Sequence, residues 1–304
     1  MFTKSNAEMP NSESFSVSTE TGEFRPVTPS QPKIQYRTCT QWPQAGYFIA
    51  LPDTVNETTP VFVAIHGISR NAREQVAVFS QYCTRLGWIV VAPLFTKGDF
   101  RKYQQPGISN KKRGARADLS LNAILDEVTT LTKASTDRVY MFGYSGGAQF
   151  VHRYIMAYPD RVCAAALGAA GWYTFPDLDK AYPYGLGANS ELSELSLIPE
   201  LFLSVPMMVL VGTQDDKRDS SLNMSERIDR QQGQTRLERG QRWIESMRNA
   251  ARSYGLDTRY EFRQIKECGH SFVQCVSMGK MDWQIMAFLT DSARSLKPHH
   301  VIKD

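Results

Sequence analysis

The sequence predicts an α/β fold, a mostly parallel central sheet flanked by helices, and three observations carry that prediction. Val61–Ile65 and Pro206–Val211 are continuous apolar runs, as expected of strands buried on both faces. Between such runs lie apolar residues at helical spacing, for example Leu121, Ile124, Leu125, Val128 and Leu131, the period of a helix with one face on a core. The third is the stretch Arg138–Tyr158, RVYMFGYSGGAQFVHRYIMAY, which passes from a short apolar run through a glycine-rich turn straight into a helical pattern. At 304 residues, 42% hydrophobic and 22% charged, the chain suits one large domain with insertions better than two small ones.

The elements follow in order. Residues 1–33 are rich in Ser, Thr, Glu and Pro without a sustained apolar period, and predict a disordered or loosely attached arm. The main domain is expected over 34–292, with a tail at 293–304. Ile34–Leu51 alternates and suits an antiparallel opening of the sheet. Val61–Ile65, a helix over Asn71–Leu86 and a strand over Trp88–Ala92 make one right-handed βαβ unit. A helix over Ala117–Ala134 leads to the strand Val139–Phe142, and Val162–Ala170 is a further strand. Pro176–Ser204 is too long for an ordinary loop and reads as a small cap insertion. After Pro206–Val211 come a polar excursion over Lys217–Gln234, a helix over Arg236–Tyr254 and a last strand over Arg259–Ile265.

Composition bounds the function. A net charge of +4 is weak for a nucleic-acid binder of this size. No segment approaches the roughly 20 apolar residues of a membrane span, and the N-terminus lacks the order of a signal peptide. Five cysteines, scattered without metal-ligand spacing, predict reduced thiols, a cytoplasmic location and no metal or cofactor. The expected partner is a small molecule, with no nucleic acid and no membrane span; self-association into a homo-oligomer is left open.

Candidate chemistry gathers at strand ends, where ligands bind in open α/β sheets. Gly143-Tyr144-Ser145-Gly146-Gly147 matches the G-x-S-x-G nucleophile elbow, in which a sharp turn exposes a serine at the start of a helix. Val61–Ile65 stops at His66-Gly67-Ile68; this is either an ordinary strand-ending turn or, in a chain that carries an elbow, the place where the Ile68 N–H joins that of Gly146 as an oxyanion hole. The run Gly212-Thr213-Gln214-Asp215-Asp216 supplies carboxylates just past a strand, although capping or surface charge is the plainer role for Asp216 and Asp219. Among the five histidines, only His270, in Cys268-Gly269-His270-Ser271, sits on a loop after the last strand and downstream of both serine and acid. Beside the serine, Tyr144 is a candidate substrate-binding residue. Trp172 and Tyr173 also are, at the end of a strand, with core packing as the alternative. The basic stretch Phe95–Arg116 is a solvated loop or a steering field for an anionic substrate. Cys268 and Cys275 bracket His270 and are either packed thiols or a redox switch.

GYSGG, the HG at the first buried strand, GTQD and GH, matched in order and spacing, resemble the α/β-hydrolase superfamily over Val61 to about Leu289. More narrowly, QGQTRLERGQRWIESMRNAARSYG with CGH after it is similar to bacterial esterase-like hydrolases related to polyester depolymerases. The resemblance implies an α/β-hydrolase fold and assigns the catalytic acid to Asp215, giving Ser145, Asp215 and His270. It implies hydrolysis of a carboxylic ester. An amidase, thioesterase or peptidase using the same residues, or a non-catalytic binding member of the fold, are the alternatives.

Overall fold

A computed structural model describes residues 32–108, 114–189, 192 and 195–295, together with two short strands nearer the N-terminus. These two, β1 (Phe15–Val17) and β2 (Phe24–Pro26), pair antiparallel and form a unit of their own. The remainder of the arm expected over 1–33, up to residue 31, lies outside the described residues, as does the tail from residue 296.

The second unit, from Pro32 onward, is built on an eight-stranded sheet. Its strands are β3 (Ile34–Thr38), β4 (Gly46–Ala50), β5 (Val61–Ile65), β6 (Ile89–Leu94), β7 (Val139–Tyr144), β8 (Val162–Gly168), β9 (Met207–Gly212) and β10 (Tyr260–Ile265). Their order across the sheet is β10-β9-β8-β7-β5-β6-β4-β3. From β10 to β6 every pair is parallel, and only the β6–β4 and β4–β3 pairs are antiparallel. The alternating stretch at the start of the domain therefore became the antiparallel edge, and the all-apolar runs the parallel centre. Every residue of β5, β7, β8 and β9 is buried, which explains why those segments carry no alternation.

Helices cover the faces: α1 (Ala72–Leu86), α2 (Ala117–Thr132), α3 (Gly146–Ala157), α4 (Pro199–Phe202), α5 (Glu226–Gln232), α6 (Arg236–Ser253), α7 (Phe272–Ser277) and α8 (Met281–Ser295). The α6 helix starts at a Thr235 cap, whose side chain accepts from the Glu238 N–H. This satisfies one of the open amides of the first turn. Gly240 of α6 lies against Val209, Val211 and Phe262, so the helix seats closely on β9 and β10. Trp243, fully buried on the same helix, donates from Nε1 to the Thr174 carbonyl at 2.7 Å and stacks on Tyr173 with centroids 4.8 Å apart.

Two expectations changed in detail. The polar excursion over 217–234 contains α5, whose Ile228 and Gln232 are buried; two inward residues on a seven-residue helix leave too little apolar period to detect. In 176–204, read above as a cap insertion, the described residues form turns and the short α4. Leu192 and Leu195 lie beside Gly107, and the Tyr182 hydroxyl donates to the Pro106 carbonyl, so this insertion packs on the loop that follows β6.

Candidate active site

The parallel register brings the carboxyl ends of the central strands level. Ile65 faces Gly143, Tyr144 faces Gly168, Gly168 faces Leu210 and Gly212 faces Ile265. Each candidate residue leaves the sheet at that edge.

Ser145 stands between β7 and α3 at φ 54° and ψ −112°, a backbone conformation strained for a residue with a Cβ. The turn closes because Gly147 lies directly on the Ile65 and His66 carbonyls, where any Cβ would collide with backbone. The Ser145 N–H is held by the Gly168 carbonyl at 2.7 Å. Clamped on both sides, the serine is 8% exposed and its hydroxyl reaches the open edge.

Asp215 and His270 arrive on loops that are bonded to each other. The Gln214 N–H donates to the Cys268 carbonyl at 2.9 Å, the Thr213 N–H to the Ile265 carbonyl at 2.9 Å, and the Glu267 N–H to Thr213 Oγ1 at 3.0 Å. Gly212 makes this approach feasible, since a Cβ there would run into the Cys268 backbone. The Gly269 N–H donates to Gln274 Oε1 at 3.0 Å, and Ser271 caps α7, which fixes the histidine loop from its other side.

The result is a line of hydrogen bonds. His270 Nδ1 lies 2.7 Å from Asp215 Oδ2, and His270 Nε2 lies 3.0 Å from Ser145 Oγ. A carboxylate accepts only, so Nδ1 carries the proton, and Nε2 is left to accept from the serine hydroxyl. Of the two adjacent acids, Asp215 is buried at 2% exposure while Asp216 is exposed and outside the line. The Tyr144 ring stacks on His270 at 5.4 Å and 25°, which fixes the plane of the imidazole.

The Ile68 N–H lies next to Gly146, where an added Cβ would approach it to 3.4 Å. Neither the Ile68 nor the Gly146 amide donates to another protein group among the described residues. Two open donors therefore sit beside Ser145, at the start of α3, where the helix dipole favours negative charge. The Tyr103 hydroxyl closes the back of this corner by donating to the His66 carbonyl at 2.8 Å.

A cavity of about 280 Å³ opens at Ser145 and His270. Ile68, Tyr144, Phe272 and Val273 form its apolar wall; Asn71, Glu74, Gln75, Ser221 and Ser271 form a polar one. Tyr144 thus lines the cavity, but Trp172 and Tyr173 do not. Tyr173 is sealed at 0% exposure against Trp243, and Trp172, at 8%, lies under the Arg153 guanidinium at 4.1 Å. Their large apolar surface went to the core instead of the cleft. No described residue of 176–204 lines this cavity either.

The remaining candidates sort by burial. His66 and His152 are both fully buried and bonded to backbone: His66 Nδ1 to the Gly67 carbonyl and Nε2 to the Phe95 N–H, His152 Nδ1 to the Ala148 carbonyl and Nε2 to the Thr174 N–H. Burial pushes His66 down to about 4 and His152 well below the ordinary imidazole value. Cys268 and Cys275 are buried free thiols, and burial together with the neighbouring Cys268 pushes Cys275 up to about 12. So little thiolate on Cys275 disfavours a redox switch there. Lys111, Lys112 and Arg113 of the basic loop, and His299 and His300, lie outside the described residues. Among the described residues no group of three or more His, Cys, Asp or Glu side chains could hold a metal ion, and no helix is long and apolar enough to cross a membrane.

Sequence reasoning did not single out Arg236, Ser221 or Tyr103. Arg236 Nη1 meets Asp215 Oδ1 at 3.1 Å, a contact across 21 residues that no local spacing announces.

No family model and no curated protein matches the chain by sequence. Solved structures do match by fold. Poly(aspartic acid) hydrolase-1 from Sphingomonas sp. KT-1 is 26% identical at a TM-score of 0.69, over 83% of this chain and 99% of that one. The LpqC poly(3-hydroxybutyrate) depolymerase from Bordetella parapertussis is 22% identical at 0.67, over 88% and 91%. An S-formylglutathione hydrolase from Agrobacterium tumefaciens is 13% identical at 0.57, over 88% and 95%. Since the likeness spans nearly the full length of each of these structures and the sheet is of the same mostly parallel kind, the chain has the α/β-hydrolase fold.

Proposed function

We propose that this protein is a serine hydrolase that cleaves a carboxylic ester through a Ser145–His270–Asp215 triad and an acyl-enzyme intermediate. The observation that carries this reading is the unbroken line from Ser145 Oγ through His270 to Asp215, at 3.0 and 2.7 Å. The solved structure at 26% identity is named a hydrolase, which supports the reaction class.

The chemistry follows from the groups. A serine hydroxyl is a weak nucleophile at neutral pH, so His270 Nε2 takes its proton as Oγ attacks the carbonyl carbon. Asp215 holds the Nδ1–H tautomer and stabilises the imidazolium that forms. Negative charge moves to the carbonyl oxygen, which the Ile68 and Gly146 amides receive; losing one such donor costs about 100- to 1,000-fold in rate. His270 returns the proton to the leaving alkoxide. It then deprotonates a water that attacks the acyl carbon, and Ser145 is regenerated.

A fluorophosphonate probe followed by mass spectrometry tests the reading, alongside a panel of esters, thioesters and amides. The expected result is an adduct on Ser145, absent in Ser145→Ala and His270→Ala, with turnover of esters foremost. A folded wild type that forms no adduct and turns over no substrate would overturn it. Turnover of amides or thioesters without esters would keep the triad and replace the bond.

A further inference from the structure

Arg236 is the first residue of α6 and is buried at 1% exposure, with its guanidinium against the acid of the proposed triad. Nη1 donates to Asp215 Oδ1 at 3.1 Å, and Nη2 donates to Ser221 Oγ at 2.6 Å. The other carboxylate oxygen, Oδ2, is the one that meets His270 at 2.7 Å. The two oxygens of one carboxylate are thus divided between two partners. Ser221, held on the far side of the guanidinium, also lines the cavity at Ser145.

We propose that Arg236 is a positioning residue for the reaction: by holding Asp215 Oδ1 it fixes the rotation and the ionised state of the acid, and through Ser221 it ties that acid to the wall of the substrate cavity. The inference rests on the triad reading given above.

A carboxylate can turn about its Cβ–Cγ bond, and a histidine held through one oxygen does not prevent this. A second, charge-assisted bond to the other oxygen does. A carboxylate this deeply buried also needs a compensating cation to remain ionised beside a neutral imidazole, and Arg236 is the cation in contact with it. Neighbouring groups leave that role to Arg236. Arg239 is paired with Asp229 at 2.6 Å. Burial raises Tyr144, Cys275 and Tyr173, all of which face Asp215, and keeps them neutral. Asp219, half-exposed, faces both Arg236 and His270 and adds negative charge. Without the guanidinium, Asp215 and Asp219 would both face the imidazole with no cation among the described residues in contact with Asp215.

The test is the pH dependence of kcat and KM on an ester substrate for wild type, Arg236→Met, Arg236→Lys, Asp215→Asn and the Arg236→Met/Asp215→Asn double variant, with fluorophosphonate labelling rates and thermal melts alongside. Arg236→Met should lower kcat about 10- to 100-fold, the worth of a hydrogen bond to a charged group, leave KM nearly unchanged and move the acid limb of the profile to higher pH. Arg236→Lys should recover part of the loss, since an ammonium keeps the charge but lacks the planar fork that bonds both partners. In the Asp215→Asn background Arg236→Met should cost little more. Wild-type kcat and acid limb in folded Arg236→Met, or in Arg236→Lys where the methionine variant does not fold, would overturn the inference. So would an equal loss in the Asp215→Asn background. A wild type that is unlabelled at Ser145 would overturn the triad reading itself, whereas labelled wild type with unaffected Arg236 variants would overturn only the positioning role.

Discussion

His66 and His270 leave the same edge of the same sheet, and they differ in every respect that matters for proton transfer. His66 is sealed, and its two ring nitrogens are spent on the Gly67 carbonyl and the Phe95 N–H. His270 keeps 20% of its side chain exposed, and its nitrogens face a carboxylate and a hydroxyl. Backbone partners cannot exchange a proton near neutral pH; a serine hydroxyl can when an electrophile approaches. A histidine at a strand end is therefore a structural pin or a proposed base according to what its nitrogens meet, and the residue type alone does not decide.

Turnover separates the two histidines most directly. His270→Ala and Ser145→Ala should each lower kcat by about 10⁴- to 10⁶-fold, while His66→Gln, measured with the same ester, keeps measurable activity. Equal losses at the two histidines would erase the distinction. Asp215→Asn should cost about 10⁴-fold by allowing the wrong tautomer, against about twofold or less for the exposed Asp216→Asn. A reversal of those two would move the acid by one residue.

The smallest effect is on stability and concerns His66. Folded His66 stays neutral down to about pH 4, whereas the unfolded imidazole takes up its proton near 6.5. The unfolded state thus binds more protons in that window, so stability is full above about 6.5 and falls as pH drops towards 4, by about 3 kcal/mol in all. Denaturant melts at pH 7 and pH 4.5 should show a smaller drop for His66→Gln than for wild type. The same drop in both would mean that other groups set the acid sensitivity.

The elbow was legible in the sequence because glycines are forced there by steric contact, and because strand and helix patterns adjoin it. The antiparallel edge was legible from alternation, and the central strands from its absence. Choosing Asp215 over Asp216 needed a family resemblance, since neighbouring acids differ only in which way the folded loop turns them. Trp172 and Tyr173 were read as cavity or core, and the core holds both. Arg236 stayed hidden because its contact with Asp215 exists only once α6 has docked on β9 and β10, and its run of charged residues reads as a solvated face.

The bonds that join the loop after β9 to the loop after β10 also set an order of events. The elbow lies near the middle of the chain, but His270 is carried by the last strand and Asp215 is held against the same loop. On the proposed reading, a sheet assembled only as far as β9 has its nucleophile in place and no base to activate it. Only when β10 adds to the sheet edge do acid and histidine meet the serine, so the line of hydrogen bonds is completed by sheet assembly after the elbow itself has closed.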